Sequence, residues 1–276
     1  MASVPDAVAL PRRPRAVGWS RLPAWLRYAI LLIALLVLWQ VYVKWTDVNP
    51  LLFSTVDDTA QAFWDGWRDG TLANATWQTI RLLLISVGVG TLVAAIFTTF
   101  ATLTTVGQDL LSLLTALFYP LPGVAMLPLA LLWFGLNSKA VIFVVANAAI
   151  WPIAINVTTA FKTTNPTIVA VGRNIGLSKF RVVTDVLAPA ALPHAIAGLK
   201  TAWAFGWRTV VAAELVFGVF GGSGGLGSYI NNAKLYLFVP QMLAALVTIA
   251  IVGIAVEGLF TVIERRTIVR WGMKTS

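Results

Sequence analysis

Six apolar stretches of the chain are bounded by charged residues or by loops rich in turn-forming residues. A membrane helix needs about 20 mostly apolar residues, so the pattern predicts six transmembrane helices at residues 28–43, 82–108, 110–138, 140–161, 192–217 and 235–256. The third stretch is interrupted by Pro120, Pro122 and Pro128, and we expect it to be kinked or shortened there. The sequence therefore predicts an all-α integral membrane protein.

Lysines and arginines are concentrated on one side of these predicted helices. Most of them lie in the N-terminal segment, between residues 162 and 200, and near the C-terminus. Cytoplasmic loops carry the excess of such residues, so both termini and the 162–200 loop are predicted to be cytoplasmic. The resulting division is a cytoplasmic segment 1–27, a membrane domain 28–266 and a cytoplasmic tail 267–276.

The predicted outer loop 46–78 contains an amphipathic pattern. Val56, Phe63 and Trp67 fall at roughly helical spacing, with aspartates between them. We expect a short helix on the outer membrane face with its aromatic side chains directed inward. It is either a structural element of the interface or a contact for an external partner.

The composition agrees with a membrane location and excludes several classes of protein. Hydrophobic residues make up 58% of the chain and charged residues 11%, whereas soluble domains carry about 25% charged residues. The chain has no cysteine, and His194 is its single histidine, so clusters of these metal ligands are excluded. The net charge of +9 fits loops that lie against anionic lipid better than it fits binding to nucleic acid.

The predicted cytoplasmic loop 162–191 has the signals of two short helices. Asn165 and Pro166 can begin the first, and Gly176 can end it in the left-handed conformation. Ser178 can cap the second, which Pro189 is expected to stop.

The second of these helices is predicted to be amphipathic. Phe180, Val183 and Leu187 share one face, and the opposite face carries Lys179, Arg181 and Asp185. A helix of this kind outside the bilayer needs a groove to fill. We interpret the loop as a docking element for a partner; the alternative is a simple linker.

The same loop resembles the EAA loop of ABC importer permeases. The residues that carry the resemblance are Ala170-Val-Gly-Arg-Asn-Ile-Gly176, then nine residues, then Val186-Leu-Ala-Pro189. Gly176 and Pro189 match the motif in register. Ala170 replaces its glutamate, Val171 and Gly172 replace its alanines, and Ala188 replaces its leucine.

Two further segments are similar to the permeases of the nitrate, sulfonate, taurine and bicarbonate importers. The first is Pro120-Leu-Pro-Gly-Val-Ala-Met-Leu-Pro-Leu-Ala-Leu-Leu-Trp-Phe-Gly135. The second is Gly206-Trp-Arg-Thr-Val-Val-Ala-Ala-Glu-Leu215, followed by Gly225-Leu-Gly227. The resemblance runs in order from about residue 51 to residue 270.

The resemblance implies a type I (MetI-like) permease fold in a bacterial cytoplasmic (inner) membrane. It implies a permease homodimer, a solute-binding protein and two separate ATPase subunits that use ATP and magnesium. No catalytic residue, metal site or cofactor is expected in this chain, which lacks a phosphate-binding loop. The residues expected to couple the permease to the ATPase are Ala170, Arg173, Gly176, Lys179, Phe180, Arg181, Asp185 and Pro189.

The fifth predicted helix contains two ionisable residues, Arg208 and Glu214. Such residues inside a membrane usually meet a partner or a water-filled cavity, and their spacing of six residues places them on different faces of one helix. Arg208 either lines a path for an anionic solute or is held structurally, for instance by Asn147 or Asn156. We assign to the translocation path Pro122, Pro128, Trp133, Trp207, Arg208 and Glu214.

The segment Gly222-Ser-Gly-Gly-Leu-Gly227 matches a dinucleotide-binding fingerprint, but its place after a membrane helix argues against that role. It is expected to form either a flexible turn or a compact outer re-entrant loop.

Other functions remain open at this point. An ion-coupled secondary transporter usually needs several carboxylates in the membrane, and this chain offers Glu214 and, at an edge, Glu257. A membrane enzyme needs a cluster of catalytic groups, and none is visible. An ABC permease for a neutral or aromatic, vitamin-precursor-like solute is the other alternative to one for a small anion.

The predicted topology can be tested because the chain contains no cysteine. A cysteine in place of Asp57 should react with an impermeant thiol reagent added outside intact cells. A cysteine in place of Lys179 should react only after the membrane is opened. Reversed labelling would contradict the orientation with both termini in the cytoplasm.

Overall fold

The computed structural model describes residues 22–46, 48–217 and 224–269, and within these residues every regular element is helical. The predictions for residues 1–21, for 218–223 in the glycine-rich segment and for 270–276 lie outside the described part. By packing, the chain divides into two compact units at residues 56 and 57.

The first unit contains α1 (Ala24–Trp45), most of whose side chains are exposed. The segment that follows folds back onto the end of this helix. The Trp39 indole N–H donates to the Ser54 carbonyl (3.0 Å), and the Val56 N–H donates to Gln40 Oε1 (2.8 Å). A ring contact between Trp39 and Phe53 (5.7 Å between centroids) completes this small cluster.

The second unit is a helical bundle, with the segment 179–190 treated as one helix. Its helices are α2 (Val56–Arg68), α3 (Thr71–Leu103), α4 (Thr105–Phe118), α5 (Leu127–Phe134), α6 (Ser138–Thr163), α7 (Pro166–Asn174), α8 (Lys179–Ala190), α9 (Leu192–Phe217), α10 (Leu226–Leu235) and α11 (Val239–Glu264).

The core of the bundle is formed by α3, α6 and α9. Leu83, Val144 and Val210 are fully buried where these helices meet. Glycine permits the close approach of α3 to α6, because a Cβ on Gly90 would lie 2.9 Å from the Ala146 carbonyl oxygen. Close packing through small residues is the usual basis of helix association in lipid.

Helix α11 is joined to α9 near the predicted cytoplasmic side by an ion pair. Lys200 Nζ lies 2.5 Å from Glu257 Oε1. Much of the remaining surface of α11 is exposed and apolar, including Ile254 and Leu259.

The predicted outer helix and the long span after it are both present, with a different boundary. Helix α2 carries half-buried Phe63 on the core side and exposed aspartates. Helix α3 begins at Thr71, well before the predicted residue 82, because Asp69 accepts hydrogen bonds from the Thr71 N–H (2.8 Å) and hydroxyl (2.7 Å). These bonds hold the pKa of the exposed Asp69 carboxyl below its usual range.

The expected interruption of the third span is confirmed. Helix α4 ends at Phe118, a 3₁₀ turn follows at Gly123–Met126, and α5 continues at an angle of 95° to α4. Pro120 and Pro122 lie at the break, where they cannot donate the backbone hydrogen bonds of a continuous helix.

The number of spans agrees with the expected total of about six. Four helices are long and apolar enough to cross a membrane, namely α1, α3, α6 and α11. Two bent pairs raise the total to six if each pair counts as one span, α4 with α5 and α8 with α9. Helix α10, between α9 and α11, was not predicted from the sequence.

The helix signals in loop 162–191 are largely confirmed. Asn165 Oδ1 accepts from the Thr167 N–H (2.9 Å), Ser178 Oγ accepts from the Arg181 N–H (3.3 Å), and Gly176 has a φ of +87°. The expected stop near Pro189 is confirmed to within one residue, because α8 ends at Ala190 and the chain then bends by 72° into α9. The middle of α8 (Val182–Leu187) is a π-helix.

The prediction that Phe180 shares one face of α8 with Val183 and Leu187 is wrong. Val183 and Leu187 are buried against Leu103 of α3 and Phe161 of α6, whereas Phe180 is 57% exposed. The local unwinding into a π-helix changes the register on which the predicted face depended.

Candidate functional site

A cavity of about 430 Å³ opens at the break between α4 and α5, which we call the arginine cavity. Its walls come from the break itself, from the middle of α6 and from one face of α9. The lining residues used below are Tyr119, Pro122, Trp151, Phe205, Arg208 and Thr209.

Among the residues that the structure describes, Arg208 is the only charged one that lines the arginine cavity. Its side chain is exposed, and within the described residues it forms no ion pair or hydrogen bond. An unpaired guanidinium at membrane depth is costly unless water or an anion reaches it. The arrangement therefore favours a solvated cavity over a buried structural contact for Arg208.

The cavity depends on the close approach of the break to α9. A Cβ on Gly123 would lie 2.8 Å from Thr209 Cγ2, so a larger residue would push the 3₁₀ turn away. The rings of Tyr119 and Phe205 meet across the cavity wall, with centroids 6.2 Å apart. The break is thus held close to the helix that carries Arg208.

The other side of the cavity is fixed by a polar contact inside the bundle. The Trp151 indole N–H donates to Asn147 Oδ1 (3.3 Å), and Asn147 Nδ2 donates to Met126 Sδ (3.1 Å). Asn147 thereby links α6 to the 3₁₀ turn at the break, and it forms no hydrogen bond with Arg208.

Glu214 lies outside the arginine cavity and is buried at a junction of three helices. The Thr79 hydroxyl on α3 donates to its carboxylate (2.9 Å to Oε2), and the Gly227 N–H on α10 donates to Oε2 (3.0 Å). Thr79 Oγ1 in turn accepts from the Leu226 N–H (2.8 Å). The carboxylate therefore stabilises the N-terminus of α10, where helix N–H groups have no partner of their own.

Glycine is required at two positions of this junction. A Cβ on Gly225 would overlap Glu214 Oε1, and a Cβ on Gly227 would lie 2.6 Å from Glu214 Cβ. These are two of the glycines in the segment that matches a dinucleotide fingerprint. In the structure they allow α10 to approach a carboxylate.

The structure brings together only two of the six residues assigned to the translocation path, Pro122 and Arg208. Pro128 is exposed in the first turn of α5, and Trp133 is 58% exposed with its ring edge-on to Phe143. Trp207 is buried in the core and faces Gly253 of α11.

Sequence reasoning missed several cavity residues, although a signal for them existed. Phe205, Arg208, Thr209 and Ala212 are spaced by three and four residues, so they lie on one face of α9. Following that spacing from Arg208 identifies the face of α9 that lines the cavity. No comparable pattern identifies Tyr119, because it lies in the irregular break.

The elbow formed by α7 and α8 presents a second functional surface on the predicted cytoplasmic side. All eight residues expected to couple to an ATPase are exposed there: Ala170, Arg173, Gly176, Lys179, Phe180, Arg181, Asp185 and Pro189. Helix α7 and its C-cap residue add three exposed apolar side chains that were not among the eight expected coupling residues, Ile168, Val171 and Ile175.

The inner face of the elbow is anchored on the membrane helices. Val182, Val183 and Leu187 are buried in a separate cluster, packed against Leu103 at the end of α3 and Phe161 near the end of α6. A displacement of the elbow is therefore transmitted to the ends of both core helices.

Comparison with known proteins places this geometry in a family. Residues 86–269 match the family of binding-protein-dependent transport system inner membrane components. The chain belongs to this family. The matched residues include the break, the arginine cavity, the Glu214 carboxylate and the elbow.

Individual relatives agree with the resemblance drawn from the motifs. The chain is 30% identical over 159 residues to the taurine transport system permease protein TauC of Escherichia coli (strain K12), covering 58% of this chain and 56% of that protein. It is 26% identical over 243 residues to the putative aliphatic sulfonates transport permease protein SsuC of the same organism, with coverage of 87% and 89%. It is 30% identical over 245 residues to the bicarbonate transport system permease protein CmpB of Synechococcus elongatus, with coverage of 85% and 86%.

These similarities confirm the predicted fold class and the family. The protein is an all-α, multi-pass membrane permease of the MetI-like type, related to the nitrate, sulfonate, taurine and bicarbonate importers. It is a transport component.

The Glu214 junction can be tested with two nearly isosteric substitutions on the same helix. Thr79→Val removes the hydroxyl that contacts Glu214 and Leu226, and we expect it to destabilise the permease by about 1–3 kcal/mol because polar groups stay buried without partners. Thr76→Val is the control, since the Thr76 hydroxyl is buried but bonds only to the Leu72 carbonyl of its own helix. Thermal unfolding in detergent measures the stability of both variants.

Equal thermal stability of the Thr79→Val and Thr76→Val variants would contradict the assignment of Glu214 to this junction.

Proposed function

We propose that the protein is the permease subunit of an ATP-driven importer and that it forms the path for a small anionic solute. The observation that carries the proposal is Arg208, an unpaired cation in an open cavity at a helix break. A guanidinium offers several planar N–H donors, which suit sulfonate, nitrate and carboxylate groups.

The names of the relatives support an anionic solute. Taurine and aliphatic sulfonates carry sulfonate groups, and bicarbonate is itself an anion. A permease for a neutral or aromatic solute is the other candidate, and a neutral solute would leave the charge of Arg208 without a counter-ion.

Glu214 and Glu257, the two carboxylates that the sequence analysis assigned to the membrane, argue against an ion-coupled transporter. Glu214 accepts hydrogen bonds from Thr79 and Gly227, and Glu257 is paired with Lys200. Coupling by protons or sodium needs carboxylates that bind and release a cation during transport. Both carboxylates here already have partners that hold helices together.

The elbow is proposed as the docking surface for the ATPase subunits, which use ATP and magnesium. Its exposed surface combines the apolar side chains Val171, Ile175 and Phe180 with the cationic Arg173 and Lys179. Exposed apolar groups rimmed by polar ones are typical of protein–protein contacts. Leu187 and its buried neighbours would transmit the movement of a docked ATPase to α3 and α6.

The remaining parts of the assembly follow from the family. A second copy of the permease completes the path, and a solute-binding protein delivers the anion on the outer side. The protein lies in a bacterial inner membrane with both termini in the cytoplasm, as the distribution of lysine and arginine predicts.

The role of Arg208 is tested by removing its charge. Arg208→Gln should lower uptake of an anionic solute at least tenfold, which corresponds to about 1.4 kcal/mol in the rate-limiting step. Arg208→Lys should restore uptake only in part, because an ammonium cannot form the two parallel hydrogen bonds of a guanidinium. Arg81→Gln is the control, since Arg81 is exposed outside the cavity. The uptake rate of each of the three variants is measured in proteoliposomes that contain the complete importer.

A stable Arg208→Gln complex with normal uptake would overturn the proposal. A variant that also loses thermal stability and dimer yield would assign Arg208 to helix packing instead.

The docking surface is tested by placing a negative charge in its apolar part. Phe180→Asp should reduce co-purification of the ATPase subunits, because a charge would be buried at the contact. Thr167→Asp adds the same charge to a polar, exposed position in the first turn of α7, where an aspartate is well tolerated. Its ATPase content should stay at the level of the unmodified complex.

The docking assignment fails if the ATPase binds the Phe180→Asp variant as well as it binds the unmodified permease.

A further inference from the structure

A second, larger cavity of about 500 Å³ lies between α4 and α6, and we call it the hydroxyl cavity. It also touches the end of α3 and one residue of α8, Leu187. Its polar lining consists of Thr102, Gln108, Ser112, Thr115, Thr158, Thr159 and Lys162. A lining of this kind does not suit contact with lipid chains.

Within the described residues, three hydroxyl groups of this cavity have no hydrogen-bond partner. Threonine in a membrane helix usually satisfies its hydroxyl by donating to a carbonyl one turn back, as Thr102 does to Thr98 and Thr159 does to Ile155. Thr158 Oγ1 is buried and has no hydrogen-bond partner. Within the described residues, the side chains of Ser112 and Thr115 likewise form no hydrogen bond.

Lys162 is the only charged residue that the described part of the chain contributes to the lining. In the part of the chain that the structure describes, its ammonium group forms no ion pair. Hydroxyl donors beside an unpaired cation bind anions, since each oxygen of the anion accepts a hydrogen bond and the cation neutralises its charge.

We propose that the hydroxyl cavity is a second anion-binding station, which the solute occupies after leaving the arginine cavity and before release on the predicted cytoplasmic side. The proposal rests on the proposed function, because it assumes that the transported solute is an anion. It adds a site, a ligand class and an order of occupation.

The order follows from the positions of the two cavities along the same helices. On α6 the arginine cavity is lined at Trp151 and the hydroxyl cavity begins at Ala154, less than one helical turn further on. On α4 the two linings meet in the same way, at Ala116 and Phe118. The hydroxyl cavity is the one nearer the elbow, since Leu187 lines it.

Three stacked aromatic rings lie where the two cavities adjoin. Phe118 stacks on Trp151 with centroids 5.5 Å apart and an angle of 8° between the rings, and Phe97 stacks on Trp151 at 6.5 Å. An anion loses its hydration against apolar rings, so this stack separates two polar stations. A separate station beyond the stack needs its own cation and donors, which Lys162 and the hydroxyl groups provide.

The cysteine-free chain allows a direct measurement of the potential in the hydroxyl cavity. In the assembled permease–ATPase complex, Ser112→Cys is reacted with two thiol reagents of similar size, the anionic sulfonatoethyl methanethiosulfonate and the cationic trimethylammonioethyl methanethiosulfonate. The expected result is faster reaction with the anionic reagent, and a fall of at least tenfold in the anionic-to-cationic rate ratio when Lys162→Gln is added. Lys162→Arg should retain the ratio.

The neighbouring position supplies a matched control. Leu113 is exposed on α4 but does not line the cavity, so Leu113→Cys should show no dependence on Lys162. Ethanesulfonate should slow the anionic reagent at Ser112→Cys, and sodium chloride at equal ionic strength should not. If the reaction rates at Leu113→Cys also depended on Lys162, or if chloride slowed the anionic reagent as much as ethanesulfonate does, the charge of Lys162 would act over a distance without a binding site. Either result would contradict the proposal.

Equal rates with the two reagents, or no reaction at Ser112→Cys, would overturn the proposal. Its failure is distinguishable from failure of the proposed function. If Arg208→Gln loses uptake but Ser112→Cys shows no preference for the anionic reagent, only the proposal of a second station is wrong. If Arg208→Gln transports normally and Ser112→Cys shows the expected preference for the anionic reagent, the proposed role of Arg208 is wrong and the anion site at Lys162 is supported.

Discussion

The break between α4 and α5 is the constraint on which the functional arrangement depends. A membrane helix satisfies all of its backbone groups internally, and an interruption is tolerated only where protein or a water-filled cavity takes over. Pro120 and Pro122 interrupt this helix, and short turns satisfy part of the backbone, including the Ala125 N–H to the Pro122 carbonyl (2.8 Å). The rest of the break opens into the arginine cavity. The same residues that end the helix therefore create the space that Arg208 lines.

Helix α9 carries two ionisable residues that the structure treats in opposite ways. Glu214 is buried and accepts hydrogen bonds from two other helices, so its charge fixes α10 in place. Arg208, less than two turns away, faces an open cavity without a partner. Hydrogen bonds therefore anchor one point of α9 to α3 and α10, and the cation at the other point has no partner in the described residues. Under the proposed function, this division of roles lets one span serve both packing and transport.

Local rules in the sequence were sufficient for much of the fold. The caps at Asn165 and Ser178, the left-handed Gly176 and the break at the prolines depend on neighbouring residues, and each was predicted. The partner of Glu214 could not be predicted, because Thr79 lies 135 residues away and only tertiary packing brings the two together. The buried position of Trp207 has the same origin. The exposure of Phe180 escaped prediction because a π-helix altered the periodicity that the prediction assumed.

The central claim is that the permease conducts an anion attracted by Arg208. The most direct measurement is the ATP hydrolysis rate of the reconstituted importer with its cognate binding protein, across a panel of sulfonates, nitrate, bicarbonate, carboxylates and neutral solutes of similar size. The account predicts stimulation by one class of small anion, and no stimulation by that anion in the Arg208→Gln complex. Stimulation by a neutral solute alone, or stimulation by an anion that is unchanged in Arg208→Gln, would contradict it.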